Sequence, residues 1–110
     1  MSETTPVEAS EFPIIVTARH MDLTDSMRDY AEKRVRKMHY GYPRVMEVKV
    51  ILDSQPHGHI AEIVVIGADN VTIEADTETQ NLYEAIDLTM DKIERQMRKE
   101  KTRMLKQHGH

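Results

Sequence analysis

Apolar positions recur along this chain in two periods, and the switches between them mark out six elements. The longest run is Asn81 to Lys106. There Leu82, Ala85, Ile86, Thr89, Ile93, Met97 and Met104 fall on one face at three- and four-residue steps, the period of an α-helix. At ~1.5 Å per residue the helix would be roughly 37 Å long. A shorter helical pattern runs through Met27, Tyr30, Ala31, Val35 and Met38, with Thr24 as N-cap and Asp25 in the first turn. Gly41 and Pro43 are expected to end it in a turn.

Between the helices the period drops to two. Val45 to Asp53 alternates, with Met46, Val48, Val50 and Leu52 expected on the core side and Glu47, Lys49 and Ile51 on the other. SQPHGH has turn chemistry. Ile60 to Ile66 is a third strand with Ala61, Ile63 and Val65 inward, GADN a tight turn, and Val71 to Thr77 a fourth strand with Val71, Ile73 and Ala75 inward. Pro13 to Arg19 reads as a short first strand. The order is therefore β-α-β-β-β-α, an α+β fold. The βαβ unit makes its strands parallel, and the short turns make the other pairs antiparallel. The result is a four-stranded mixed sheet with two roughly parallel helices on one face, an arrangement like that of a double-stranded-RNA-binding domain. Residues 1–11 are polar and acidic and read as a disordered leader. Residues 12–107 form one domain and 108–110 a tail.

Composition narrows the class. At 110 residues the chain suits one compact domain. It has no cysteine, no run approaching the ~18 apolar residues of a membrane span, and no secretory apolar segment near its start. Those absences point to a cytoplasmic protein. Net charge is −4, which alone argues against a nucleic-acid binder. The distribution argues the other way. Residues 92–110 carry +5 and residues 28–44 carry +4, while everything else is strongly acidic. On the long helix, Lys92, Arg95, Lys99, Arg103 and Lys106 step by three, four, four and three, a basic stripe beside the apolar one. Helix-dipole stabilisation of cations fades within the last turn, yet this stripe runs three to four turns. With parallel helices, the two basic C-terminal halves would pool into one positive cleft.

Other candidate chemistry is thin. His57-Gly-His59 and His108-Gly-His110 have no accompanying cysteine or carboxylate cluster, so neither is expected to hold a metal. No nucleophile elbow, Ser/His/Asp set or phosphate-cradling glycine loop is present. The expectation is a non-enzyme without cofactor, catalytic residue or small-molecule substrate. Tyr40 and Tyr42 flank Gly41 in basic surroundings and are assigned to turn packing rather than base stacking. The long helix lacks Phe and Trp, which argues against membrane docking.

The element order, the stretch LTDSMRDYAEKRVRKM after the first strand, and above all NLYEAIDLTMDKIERQMRKEK resemble the ribosome hibernation promoting factor family. That family includes the ribosome-associated inhibitor and proteins earlier described as sigma-54 modulators. The most specific part is Tyr83-x-Ala85-Ile86-Asp87 followed by Asp91-Lys92-Ile93-x-Arg95-Gln96. The resemblance covers about residues 13–107 and implies a stationary-phase translation silencer. It would bind the small ribosomal subunit on 16S ribosomal RNA and occlude the path of messenger RNA and of A- and P-site transfer RNA. The RNA contacts it implies here are Arg34 and Lys37 on the first helix and Lys92, Arg95, Lys99, Lys101 and Lys106 on the second. Arg103 joins them through the basic stripe. Where the family has Asp before the Leu-Tyr pair, this chain has Asn81, so a different helix cap is expected. A chain that stops soon after the long helix implies the short type of member. Two other readings stay open on the residues alone: a regulatory module docking an acidic protein partner, and a generic binder of duplex RNA.

Overall fold

The computed structural model describes residues 12–38 and 44–108. The leader, the Gly41–Pro43 turn, Tyr40, Tyr42 and residues 109–110 of the tail lie outside the described residues. Six elements follow in the expected order: β1 (Ile14–Arg19), α1 (Asp25–Arg36), β2 (Val45–Gln55), β3 (Gly58–Gly67), β4 (Thr72–Thr79) and α2 (Leu82–His108). The strands lie side by side as β1-β2-β3-β4. β1 and β2 are parallel, and the other two pairs antiparallel.

Both helices bury an apolar stripe against the same sheet face, although Tyr30 and Met104, expected on those stripes, are not part of the buried core. Ala31 and Val35 of α1 and Ala85, Ile86, Met90 and Ile93 of α2 are fully buried with Val48, Val50, Leu52, Ala61, Ile63 and Val65. Thr89 also lies in this core. Its one hydroxyl proton is shared between the carbonyl oxygens of Ala85 (2.7 Å) and Ala61 (3.0 Å), so the polar atom is satisfied. Met90 was absent from the stripe expected from spacing, because it sits at that stripe's margin.

Local chemistry explains the element ends. The Thr24 hydroxyl accepts from the Met27 amide and caps α1. Asn81 Oδ1 accepts from the amides of Tyr83 (2.9 Å) and Glu84 (3.2 Å), so asparagine caps α2 fully. Asp69 and Asn70 both take φ of 62° in the two-residue turn between β3 and β4, the left-handed pair a tight hairpin needs. The β2–β3 strands run further into the Ser54–His59 stretch than expected, leaving Pro56 and His57 as the loop. Gly58 closes it: a Cβ there would stand 2.7 Å from the Thr79 carbonyl oxygen.

One phase expectation fails. Pairing shifts between Val45 and Glu47, so Met46 is the extra residue of a bulge. Val45 turns into the core and Met46, expected inside, is 47% exposed.

Candidate nucleic-acid interface

The two helices run in the same direction, as three levels of contact show. Tyr30 and Tyr83 meet edge to face with ring centroids 4.9 Å apart. The Tyr30 hydroxyl donates to Asp87 Oδ2 at 2.7 Å. One turn further, Arg34 reaches Asp91 (3.0 Å), Asp87 (3.4 Å) and Glu94 (3.4 Å). The hydrogen bond to Asp87, reinforced by burial, raises the Tyr30 pKa above its ordinary value.

This seam overturns the expected cleft. The α2 flank facing α1 is acidic there, carrying Asp87, Asp91 and Glu94. It takes up the guanidinium of Arg34, whose side chain keeps 21% of its exposure. Arg34 therefore ties helix to helix and is not an open cation. Arg36 turns the other way: it donates to the Phe12 carbonyl and lies 5.2 Å from the Phe12 ring centroid. Lys37, at the C-cap of α1, and Lys33 are exposed.

The open cations sit on α2. Lys92 donates to the Asp76 carbonyl (2.7 Å) and Gln96 to the Glu74 carbonyl (3.2 Å), so this flank of α2 lies along the outer edge of β4. Those bonds also cap edge carbonyls that would otherwise invite another strand. Arg95, Lys99, Arg103 and Lys106 follow Lys92 at helical steps and continue the flank. Arg95, Arg98, Lys99, Thr102, Arg103 and Lys106 line one open groove between their side chains. Lys92, Arg95, Gln96, Lys99 and Glu100 line a second beside it.

Past Met97 the helix has no buried residue among residues 98–106, whose burial is described. The ten or so residues beyond it project roughly 15 Å from the body. Here Arg98 and Lys101 continue the flank that was acidic further back, four and seven residues after Glu94. The cations thus wrap much of the projecting cylinder. Arg103 meets both oxygens of Glu100, an i,i+3 pair at 2.9 and 3.1 Å, largely in water and hence weak. Arg95, Arg98, Lys99, Lys101 and Lys106 make no ion pair among the described residues. Arg98 is an exposed cation of this projection that the stripe spacing left out, because it falls on the flank that carries Asp87, Asp91 and Glu94 further back. Its exposure on a projecting segment is what identifies it.

Of the eight expected residues, the structure thus brings Lys92, Arg95, Lys99, Arg103 and Lys106 onto one flank, with Lys101 on the opposite side of the same projection. Lys37 stands at the end of α1, and Arg34 is withdrawn into the seam. No group of three or more His, Cys, Asp or Glu that could hold a metal occurs among the described residues. No helix is long and apolar enough to cross a membrane. The described surface of α2 is marked by an exposed run of cations.

Comparison with known proteins places this fold in a family. Residues 14–105 match the family model described as Sigma 54 modulation protein / S30EA ribosomal protein. A ribosome hibernation promoting factor from Azotobacter vinelandii is 28% identical over 90 residues, covering 82% of this chain and 83% of that protein. Among solved structures, the N-terminal domain of Thermus thermophilus Protein Y superposes with a TM-score of 0.67 at 30% identity, over 76% of this chain and 92% of that one. A ribosomal subunit interface protein from Coxiella burnetii shares the fold, with a TM-score of 0.76 at 24% identity over 82% of this chain and 98% of that one.

Proposed function

The chain belongs to the Sigma 54 modulation protein / S30EA ribosomal protein family, and from that premise we propose that it is a ribosome hibernation factor that inhibits translation by binding the ribosome. Its site is the small subunit, where it grips 16S ribosomal RNA and stands in the path of messenger RNA and of A- and P-site transfer RNA. It acts in the cytoplasm, by occlusion, without catalysis.

The observation that carries this reading is the exposed, cation-rich projection of α2 on a chain that is acidic overall. A solvated helix face normally mixes signs. Here Arg95, Arg98, Lys99, Lys101 and Lys106 are exposed and without ion pairs among the described residues. Phosphate contacts release counterions and supply most of the affinity, and folded RNA is recognised largely through shape and backbone. With about five phosphates engaged, affinity should fall with salt at a log–log slope of about −4 to −5.

The test is pelleting through sucrose with purified ribosomes. The chain should co-sediment at moderate salt. The triple variant Arg95→Glu, Lys99→Glu, Lys106→Glu should stay in the supernatant with its circular dichroism unchanged. A well-folded triple variant that still pellets would refute the site. Loss of pelleting on RNase treatment separates RNA contact from docking on an acidic protein.

A further inference from the structure

The sheet has a second face, which no described element covers. Alternation places Ile15, Lys49, Val64 and Glu74 in one cross-strand row, and Thr17, Ile51, Glu62 and Asp76 in the next. Arg19, Asp53, Ile60 and Glu78 form a third. An aliphatic path therefore runs diagonally from Ile15 through Ile51 to Val64 and Ile60, with Ile15 45% exposed. Along its β4 side stands a ladder of acids, Glu74, Asp76 and Glu78, all exposed.

This face breaks a rule of sheet chemistry. Glu62 and Asp76 lie directly opposite each other on paired strands. Like charges at that position destabilise a sheet. Neither they nor Glu74 and Glu78 make an ion pair among the described residues. A fold that keeps opposed carboxylates beside an aliphatic path, exposed at Ile15 and half-buried at Ile51, Ile60 and Val64, carries a cost that a cationic, partly apolar occupant would relieve.

We propose that this face docks a lysine- or arginine-rich polypeptide segment interleaved with aliphatic residues. Its apolar side chains lie on the Ile15–Ile51–Val64 path, and its cations stand over Glu62, Asp76 and the β4 ladder. The three rows carry five acids against Lys49 and Arg19, and this net negative sign disfavours nucleic acid and anionic membrane as occupants. A second copy of this chain would have to offer the cations of α2, so self-association that depends on those cations is the outcome that separates this occupant from a peptide segment. The face lies across the sheet from the helices, so such a segment and an RNA could be held at once. The inference stands independently of what α2 binds.

Fluorescence anisotropy on the ribosome-free chain tests it with three labelled peptides of about twelve residues: lysine alternating with valine, lysine with serine, and glutamate with valine. At low salt the lysine–valine peptide should bind in the micromolar range. The lysine–serine peptide should bind at least about tenfold more weakly and the glutamate–valine peptide not at all. The pair Glu62→Gln, Asp76→Asn should weaken lysine–valine binding by at least about tenfold while raising the melting temperature, because the like-charge contact is gone. Arg95→Gln with Lys99→Gln should leave peptide binding unchanged. Equal binding of the two lysine peptides would overturn the proposal, as would unaltered binding to the Glu62/Asp76 variant. So would reversible self-association by sedimentation equilibrium that the Arg95/Lys99 variant abolishes, since the occupant would then be a second copy.

Discussion

Two regions of this protein carry basic residues at the same helical spacing and use them in opposite ways. In the seam between α1 and α2, Arg34 is drawn among Asp87, Asp91 and Glu94. On the β4 flank and the projecting end of α2, cations of the same kind stand in water, and Arg95, Arg98, Lys99, Lys101 and Lys106 have no ion pair among the described residues. The difference lies in what stands opposite. α1 runs beside the acids Asp87, Asp91 and Glu94 on the facing flank of α2, and ends before the first cation of that flank, Arg98. Shared spacing puts charges on a face, but the neighbouring element decides whether that charge is available to a partner. The two regions should therefore separate cleanly into one that sets binding and one that sets stability.

The largest expected effect follows from neutralising the open flank. Arg95→Gln with Lys99→Gln should lower ribosome affinity about ten- to a hundredfold at physiological salt and make the salt slope shallower by about 2. Stability should move by no more than about 0.5 kcal/mol, as for surface changes without partners. Filter binding across a salt series, with thermal melts alongside, measures both. A melting temperature that fell with the affinity would erase the distinction between the regions.

Arg34→Gln should do the reverse. It leaves three carboxylates facing one another without their guanidinium. The groups are partly exposed, so the loss is about 1–2 kcal/mol rather than that of a fully buried network. For a domain of this size that lowers the melting temperature by several degrees. The salt slope of ribosome binding should stay unchanged. A slope that dropped by about 1 would return Arg34 to the list of phosphate contacts.

Much of this architecture was legible along the chain. Element order, strand directions, the shared helix face and the inward side of β3 follow from period and turn chemistry. The phase of the β2 start does not, because strict alternation puts Met46, two residues before Val48, on the core side, and nothing in the local sequence announces the bulge that brings Val45 there instead. The open flank was legible as a stripe at three- and four-residue steps. The fate of Arg34 was not. It depends on the axial register of α1 against α2, which sets Arg34 level with Asp91 rather than with Arg98, and no spacing within one helix encodes that offset. The bare sheet face was equally hidden, since Glu62 and Asp76 become neighbours only through the β3–β4 pairing.

A smaller effect probes the seam from its other end. Tyr30→Phe removes the hydroxyl that donates to Asp87 and should cost about 1 kcal/mol at neutral pH. Because the folded pKa of Tyr30 is raised, this contribution is complete below the ordinary tyrosine value and disappears as pH rises through the raised one. Melts of the wild-type chain and the variant should run parallel up to about pH 9 and converge in stronger alkali. Ribosome binding at neutral pH should be indifferent to the change.

The smallest effect lies outside both regions and has the opposite sign. At the far end of β2, Asp53 meets His20 Nδ1 at 2.8 Å and accepts from Gln55 Nε2 at 2.8 Å. The His20 contact first, and the Gln55 contact second, hold the Asp53 pKa below the usual carboxylate value. A depressed carboxylate stabilises the fold above its unfolded pKa of about 3.9 and loses that contribution as pH falls through the folded value. The melting temperature of Asp53→Asn should therefore sit below that of the wild-type chain at neutral pH, and the gap should close in acid. The Tyr30→Phe gap persists in acid and closes in alkali. Opposite responses from two contacts on separate elements would place the alkaline loss of stability in the helix seam. A Tyr30→Phe gap that also closed in acid would mean that protonating the seam carboxylates, rather than ionising the tyrosine, governs how the two helices are joined.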